Sequence, residues 1–83
     1  MHKSTLRKIL QQKYPDVEFQ LQGDGCHLQI VAIGEIFSDM TRIKRQQLLN
    51  KVLKPFIQEG LLHAVNYQLL TPAEAQAKKI LHE

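Results

Sequence analysis

The residues with the greatest chemical potential in this chain are one cysteine and two histidines. Cys26 and His27 follow a glycine-containing turn over residues 23–25, and His63 lies much farther along the chain. Thiolate and imidazole are donors that suit zinc, copper or the iron of an iron–sulfur cluster. A closed zinc site needs four protein ligands and an iron–sulfur cluster usually needs four thiolates, but the chain has one Cys and four His. A cluster bound here would therefore need ligands from a partner.

The plainer alternative is that Cys26 is an ordinary loop thiol and that both histidines only form hydrogen bonds, because no complete metal-ligand spacing occurs. Nucleophilic catalysis explains these residues less well. Neighbouring residues of a strand point to opposite faces, so His27 is badly placed to deprotonate Cys26. The sequence also lacks a phosphate loop and paired-carboxylate motifs. We therefore predict that the protein is not an enzyme.

The length and the cysteine count narrow the class of protein. With 83 residues, the chain fits one domain, 1–83, whose functional groups must lie at the surface. A single Cys excludes an intrachain disulfide framework and favours a reducing compartment, so we expect a cytoplasmic protein. No run approaches the roughly 20 apolar residues of a membrane span, and no membrane partner is expected.

The net charge of +3 is unevenly distributed, with basic residues before position 15 and again over residues 42–54. Arg42, Lys44, Arg45 and Lys51 are candidates for contact with phosphate or with an acidic partner. A solvated helix surface explains the same lysines without any ligand. Arg45 differs from the others because it falls within the apolar stripe of its predicted helix, so it must lie beyond the core edge or contact something specific.

The first half of the chain predicts a helix followed by a hairpin. Ser4 or Thr5 can cap a short amphipathic helix that ends before Pro15. Apolar and polar residues then alternate on both sides of the glycine turn, which predicts two paired strands over residues 17–22 and 27–33.

The second half predicts a long core helix that begins after Thr41, which can cap it. Pro55 cannot donate a backbone hydrogen bond, so we expect the helix to kink or restart there, giving two helical pieces. Gly60 is a typical helix stop. The apolar stripe of this helix consists of Leu48, Leu49, Val52, Leu53, Phe56 and Ile57.

Alternation resumes at His63, which should open a third strand, and the capping-box pattern from Thr71 to Glu74 begins a last helix. The resulting order is α-β-β-α-(α)-β-α. It predicts an α/β fold of the α+β kind, with a three-stranded sheet and helices on one face.

Four blocks of sequence, spread over nearly the whole chain, carry a resemblance. They are Gly23-Asp24-Gly25-Cys26-His27, Gly34-Glu35-Ile36-Phe37, His63-Ala64-Val65 and Leu70-Thr71-Pro72-Ala73-Glu74. In their order and spacing the chain resembles the BolA-like family, closest to its short, acid-stress-associated bacterial branch. The resemblance implies a compact fold related to class II KH domains.

The resemblance also implies a function: a non-catalytic iron–sulfur assembly or trafficking factor that shares a [2Fe-2S] cluster with a monothiol glutaredoxin and its glutathione. Carried onto this chain, the ligands are His63 and Cys26, with His27 as the competing loop ligand. No cofactor is expected in the isolated chain, which should be a monomer or a weak homodimer.

The alternative function is a transcriptional regulator of the acid or stress response that binds DNA or RNA through its KH-like surface. Many members of the family carry Arg-His-Arg early in the long helix, whereas this chain has Arg45-Gln46-Gln47. The G-x-x-G loop with which KH domains clamp nucleotides does not occur either. Both departures weaken the nucleic-acid interpretation.

Overall fold

The computed structural model describes residues 2–23 and 27–82, and the side-chain exposure of residues 2–23 and 27–78. The predicted α+β class with a three-stranded sheet is confirmed. No helix in this described part is long and apolar enough to cross a bilayer. The elements are α1 (Lys3–Lys13), β1 (Glu18–Gly23), β2 (His27–Ile33), a 3-10 turn (Glu35–Phe37), α2 (Arg42–Gln58), β3 (Ala64–Leu70) and α3 (Pro72–His82).

β2 lies at the centre of the described sheet, between β1 and β3. β1 and β2 form the predicted antiparallel hairpin, in which Phe19 pairs with Ala32. β2 and β3 run parallel, with Leu28 opposite Val65. Two parallel neighbours need a crossover connection, and α2 provides it. In this sheet β1 and β3 are therefore the edge strands.

The two faces of the sheet differ in polarity, as the alternation along the strands predicts. Leu28, Ile30 and Ala32 of β2 are buried, whereas His27 and Gln29, which alternate with them along the strand, are exposed. Buried side chains of α1 and α2 pack against the apolar face and close the core. The core consists of Leu6, Leu10, Val17, Phe19, Leu28, Ile30, Ala32, Phe37, Leu49, Leu53, Leu62 and Leu69.

α2 is one helix of 17 residues, so the predicted division into two helical pieces at Pro55 is wrong. Pro55 lacks an N–H and leaves the carbonyl of Lys51 without its helical donor. Both residues are exposed, so water can hydrogen-bond that carbonyl and the helix continues. A short helical element that the sequence did not predict, the 3-10 turn at Glu35–Phe37, precedes α2 instead.

Thr41 caps α2 as predicted, accepting a hydrogen bond from the backbone N–H of Lys44 at 3.2 Å.

The start of α1 also differs from the prediction. The helix begins at Lys3 with His2 as its N-cap and without a side-chain cap, so capping by Ser4 or Thr5 is wrong. The reason is that the backbone N–H of Leu6 already bonds to the carbonyl of His2, at 3.2 Å. This bond closes the first helical turn before the predicted caps.

α2 ends at the glycine that the sequence indicates. Gly60 has a φ of +78°, a left-handed conformation that glycine adopts without steric cost. The N–H of Leu61 bonds to the carbonyl of Phe56 at 2.9 Å, and that of Gly60 to the carbonyl of Ile57 at 3.1 Å. These two bonds form a Schellman motif. Ile57 itself is 40% exposed, because its position on the helix lies beyond the edge of the buried stripe.

Arg45 connects four parts of the fold. Its Nε donates to the carbonyl of Met40 at 3.1 Å, and its Nη1 donates to the carbonyl of Leu69 at 2.9 Å and to Oε1 of Glu74 at 2.7 Å. The guanidinium carbon lies 5.9 Å from the centre of the Phe37 ring, within the range of a cation–π interaction. These contacts explain why a charged residue continues the apolar stripe of α2.

The N-terminus of α3 forms the predicted capping box. The N–H of Thr71 donates to Oε1 of Glu74 at 2.8 Å, and the N–H of Glu74 donates to Oγ1 of Thr71 at 3.2 Å. The hydrogen bond from Arg45, followed by that from the Thr71 backbone, lowers the pKa of Glu74 from 4.5 to about 2. One carboxylate thus caps α3 and ties it to α2 through Arg45.

We expect Arg45→Ala to lower the free energy of unfolding by about 2–3 kcal/mol, because it removes charge-assisted hydrogen bonds from a mostly buried group. Urea denaturation measures this loss. The control is Arg42→Ala, which removes an exposed arginine of the same helix and should change stability by less than about 0.5 kcal/mol. Equal losses in the free energy of unfolding for the two variants would show that the contacts of Arg45 add no stability beyond that of an exposed arginine.

We expect the Glu74 carboxylate to titrate well below an ordinary glutamate, with a midpoint near pH 2 in a carbon-detected NMR titration. Because folding lowers this pKa, the stabilisation is complete above about pH 4.5 and is lost as the pH falls through about 2. Glu74→Gln should abolish the part of the acid dependence that falls in this window. A midpoint near 4.5 would contradict the Arg45–Glu74 contact in solution.

Candidate functional site

His27 occupies the first position of β2 and is exposed. Its place in the alternation puts it on the face of the sheet opposite the core, as predicted, next in that series to Gln29. The hairpin fixes its backbone position closely. Gly23 has a φ of +100°, and a Cβ at this residue would overlap the carbonyl oxygen of His27. Glycine at position 23 therefore allows the two strands to close on each other beside His27.

His63 lies directly before β3, not within it, because the regular strand begins at Ala64. The prediction that His63 opens the strand is therefore wrong by one residue. His63 is exposed, and since it lies outside the regular strand, the alternation of β3 does not fix the direction of its side chain.

The parallel pairing of β2 and β3 brings the two histidines together. His27 pairs with Ala64, so His63 stands one residue from the position beside His27. Two exposed imidazoles thus share one end of the sheet, although 35 residues separate them in the chain (positions 28–62). Cys26, which precedes His27, lies outside the described residues. In the described part, no three His, Cys, Asp or Glu residues form a cluster that could hold a metal.

The chemistry of these donors fits a cluster that is shared. A neutral imidazole supplies one nitrogen donor to iron, and each [2Fe-2S] cluster needs four ligands. His63 with either Cys26 or His27 would supply two of them. The remaining two donors would come from a second molecule that approaches this exposed end of the sheet.

The four basic residues predicted to contact a partner do not form one surface. Arg42 and Arg45 line a groove of 630 Å³ beside β3, together with Gln29 of β2, Gln46, Glu74, Lys78 and residues 67–70; we call it the edge groove. Lys44 and Lys51 line a separate groove on the other side of α2, with Lys54 and the apolar Leu48. Their positions on the helix explain the separation, because Arg42 and Lys44 are about 200° apart around its axis.

Arg45 differs from the other three in accessibility. Its side chain is only 12% exposed, and its Nε and Nη1 already donate to groups of the protein. The geometry therefore gives Arg45 a structural role at the floor of the edge groove. Arg42, Lys44 and Lys51 are exposed and retain the predicted potential for partner contact.

Some residues of these surfaces were not recognised in the sequence. Lys78 and Gln68 line the edge groove with Arg42, but nothing in their spacing along the sequence predicts that they line one surface. Tyr67 donates from its hydroxyl to Oδ1 of Asn50 at 2.5 Å, which joins β3 to α2. Burial raises the pKa of Tyr67 to about 12, so this hydroxyl stays protonated at neutral pH. Among these additional residues of the edge groove, only Glu74 had a recognisable sequence signal, because it belongs to the capping box.

Comparison with known proteins assigns the chain to a family. The BolA-like protein family matches residues 4–74. The acid stress protein IbaG of Escherichia coli K12 is 35% identical over 74 residues, which cover 89% of this chain and 88% of that protein.

Solved structures agree with this match. BolA1 from Arabidopsis thaliana superposes with a TM-score of 0.74 at 26% identity, over 86% of this chain and 92% of that structure. The BolA domain of SufE1 from Arabidopsis thaliana has the same fold, with a TM-score of 0.76 at 20% identity, over 89% and 98% of the two chains. The chain belongs to the BolA-like family.

Proposed function

We propose that this protein is a non-catalytic iron–sulfur cluster assembly or trafficking factor, which shares a [2Fe-2S] cluster with a monothiol glutaredoxin. The observation that carries the proposal is the placement of His27 and His63 at one exposed end of the sheet. His27 is the first residue of β2 and His63 directly precedes β3, and the core holds these two strands in fixed register. A partner can therefore reach this end of the sheet without any rearrangement of the strands.

The number and kind of donors determine which ligands each of the two proteins would supply to the cluster. His63 and one loop residue supply two ligands, and the thiolates of the partner and of its glutathione supply the other two. Replacing thiolate by neutral imidazole removes negative charge from the cluster, which should raise its reduction potential. The protein would thereby change the properties of its cargo without catalysing a reaction.

The relatives support the proposal at the level of the family. The 35% identical Escherichia coli protein is named an acid stress protein, so we extend the proposal to a role in the stress response. We also place the protein in the cytoplasm, where its single thiol would remain reduced. The nucleic-acid alternative has less support, because its candidate residues Arg42 and Lys51 line two different grooves.

Reconstitution tests the proposal directly. The protein is mixed with the monothiol glutaredoxin of its host, glutathione, iron and sulfide under anaerobic conditions. We expect a mixed complex whose visible circular dichroism differs from that of the glutaredoxin homodimer. A spectrum equal to the sum of the separate components would reject the proposal.

We predict that His63→Ala leaves the fold intact but shortens the lifetime of the cluster in the mixed complex. His63 is exposed and precedes β3, so its side chain is not part of the core. Visible absorbance followed over time measures the loss, and far-ultraviolet circular dichroism checks the fold. A folded variant with an unchanged spectrum and lifetime would remove His63 from the ligand set.

We predict that Cys26→Ser changes the charge-transfer absorption of the cluster more than His27→Ala does. A thiolate binds iron more readily than a neutral imidazole, and His27 is constrained by its pairing with Ala64. The same reconstitution, performed with both variants in parallel, gives the comparison. The reverse order would identify His27 as the loop ligand and Cys26 as an ordinary thiol.

A further inference from the structure

The edge groove follows the free edge of β3. Four consecutive residues, 67–70, line it. Side chains of consecutive strand residues point to opposite faces, so a surface that touches all four includes the strand edge. Gln29 of β2 extends the groove onto the face of the sheet opposite the core. The N-terminal part of α2 and the first turns of α3 form its other walls, through Arg42 and Lys78.

Hydrogen bonds show which backbone groups of β3 face this groove. The carbonyl of Leu70 accepts from Gly34 on the β2 side, whereas that of Leu69 accepts from Arg45 on the outer side. Backbone groups alternate in direction along a strand, so the N–H of Leu69 and both backbone groups of Tyr67 point outward. An edge with groups in this orientation can pair with another extended segment.

The charges around the groove favour an acidic ligand. Arg42 and Lys78 are exposed, on opposite walls. The acid of the groove, Glu74, is paired with Arg45 at 2.7 Å, so the two internal charges offset each other. The groove therefore carries a net charge of about +2 from its two exposed cations.

We propose that the edge groove binds an acidic segment of another protein, in extended conformation, as an additional strand beside β3. The backbone groups of Tyr67 and the N–H of Leu69 would pair with the segment, whereas the carbonyl of Leu69 stays with Arg45. Arg42 and Lys78 would contact the carboxylates of the segment. An extended peptide uses both features, whereas a nucleic acid has no backbone that can pair with a strand edge. The volume of 630 Å³ is in the range of ligand sites.

This site is distinct from the cluster site of the proposed function. His63 precedes the first residue of β3, and the groove lies along its last four residues. Along β3, the first groove residue, Tyr67, lies four residues after His63, or about 13 Å at a rise of about 3.3 Å per residue. On β2 the groove reaches Gln29, which is two residues from His27 on the same face of the sheet. A segment bound along residues 67–70 would therefore leave His63 accessible, and the groove would adjoin the histidine end only at Gln29.

The test uses the full chain and a short capped peptide of alternating glutamate and threonine, followed by NMR. We expect amide shifts concentrated at residues 67–70, and about tenfold weaker binding for the double variant Arg42→Gln/Lys78→Gln. The matched control is Lys44→Gln/Lys51→Gln, which removes the same net charge on the other side of α2 and should bind as the parent protein does. His63→Ala should also bind normally, which separates this test from that of the cluster.

A backbone-methylated version of the peptide tests the strand pairing. It keeps every carboxylate but loses alternate N–H donors, and we expect it to bind at least about fivefold more weakly. Equal binding of the methylated peptide would show that charge alone attracts it, and would overturn the proposal. Equal losses of peptide affinity in Arg42→Gln/Lys78→Gln and in the control Lys44→Gln/Lys51→Gln would also overturn the proposal. So would tighter binding of a single-stranded oligonucleotide than of the peptide at residues 67–70.

Discussion

The parallel pairing of β2 with β3 is the constraint on which the rest of this structure depends. Antiparallel neighbours can be joined by a tight turn, but parallel neighbours need a long connection that returns across the sheet. α2 supplies that connection and, by packing Leu49 and Leu53 against the apolar face, closes the core. The same pairing places His63 next to His27 and leaves β3 at the edge of the sheet.

Arg45 shows how a single charged residue can connect the elements around that edge. It reaches the carbonyl of Leu69 in β3, the loop before α2, and the carboxylate that caps α3. A free strand edge is a template for unwanted association, and proteins often cover part of it with charged groups. Arg45 covers the carbonyl of Leu69 in this way, while the neighbouring part of the edge remains open to the groove.

The two ends of β3 thus have different chemistry. The N-terminal end is preceded by His63 and lies beside His27 of β2, and the C-terminal end lines a groove with a net positive charge. Since both positions are fixed by one strand, a partner at one end and a second segment at the other would be held at a constant separation. This arrangement is consistent with a protein that passes cargo between other proteins, in the role that we propose.

Local patterns in the sequence determined most of the elements and the faces of the strands. The alternation around residues 17–33 predicted the hairpin and the outward position of His27, and Thr41, Gly60 and the capping box at Thr71 each predicted a helix boundary. These signals succeed because each depends on backbone geometry and on neighbours within a few residues. The donor chemistry of Cys26, His27 and His63 made them candidate ligands, and the resemblance of four sequence blocks to the BolA-like family, which the family match and the 35% identical relative support, added the expectation of a shared cluster.

The tertiary structure decided everything that depends on distant residues. The continuation of α2 through Pro55 depends on the exposure of that side of the helix, which periodicity alone does not give. The placement of His63 and His27 at one end of the sheet, and of Lys78 and Arg42 on the two walls of one groove, follows from strand register and from the path of the crossover. Many registers are compatible with the same alternation, and only the packing of one core selects among them.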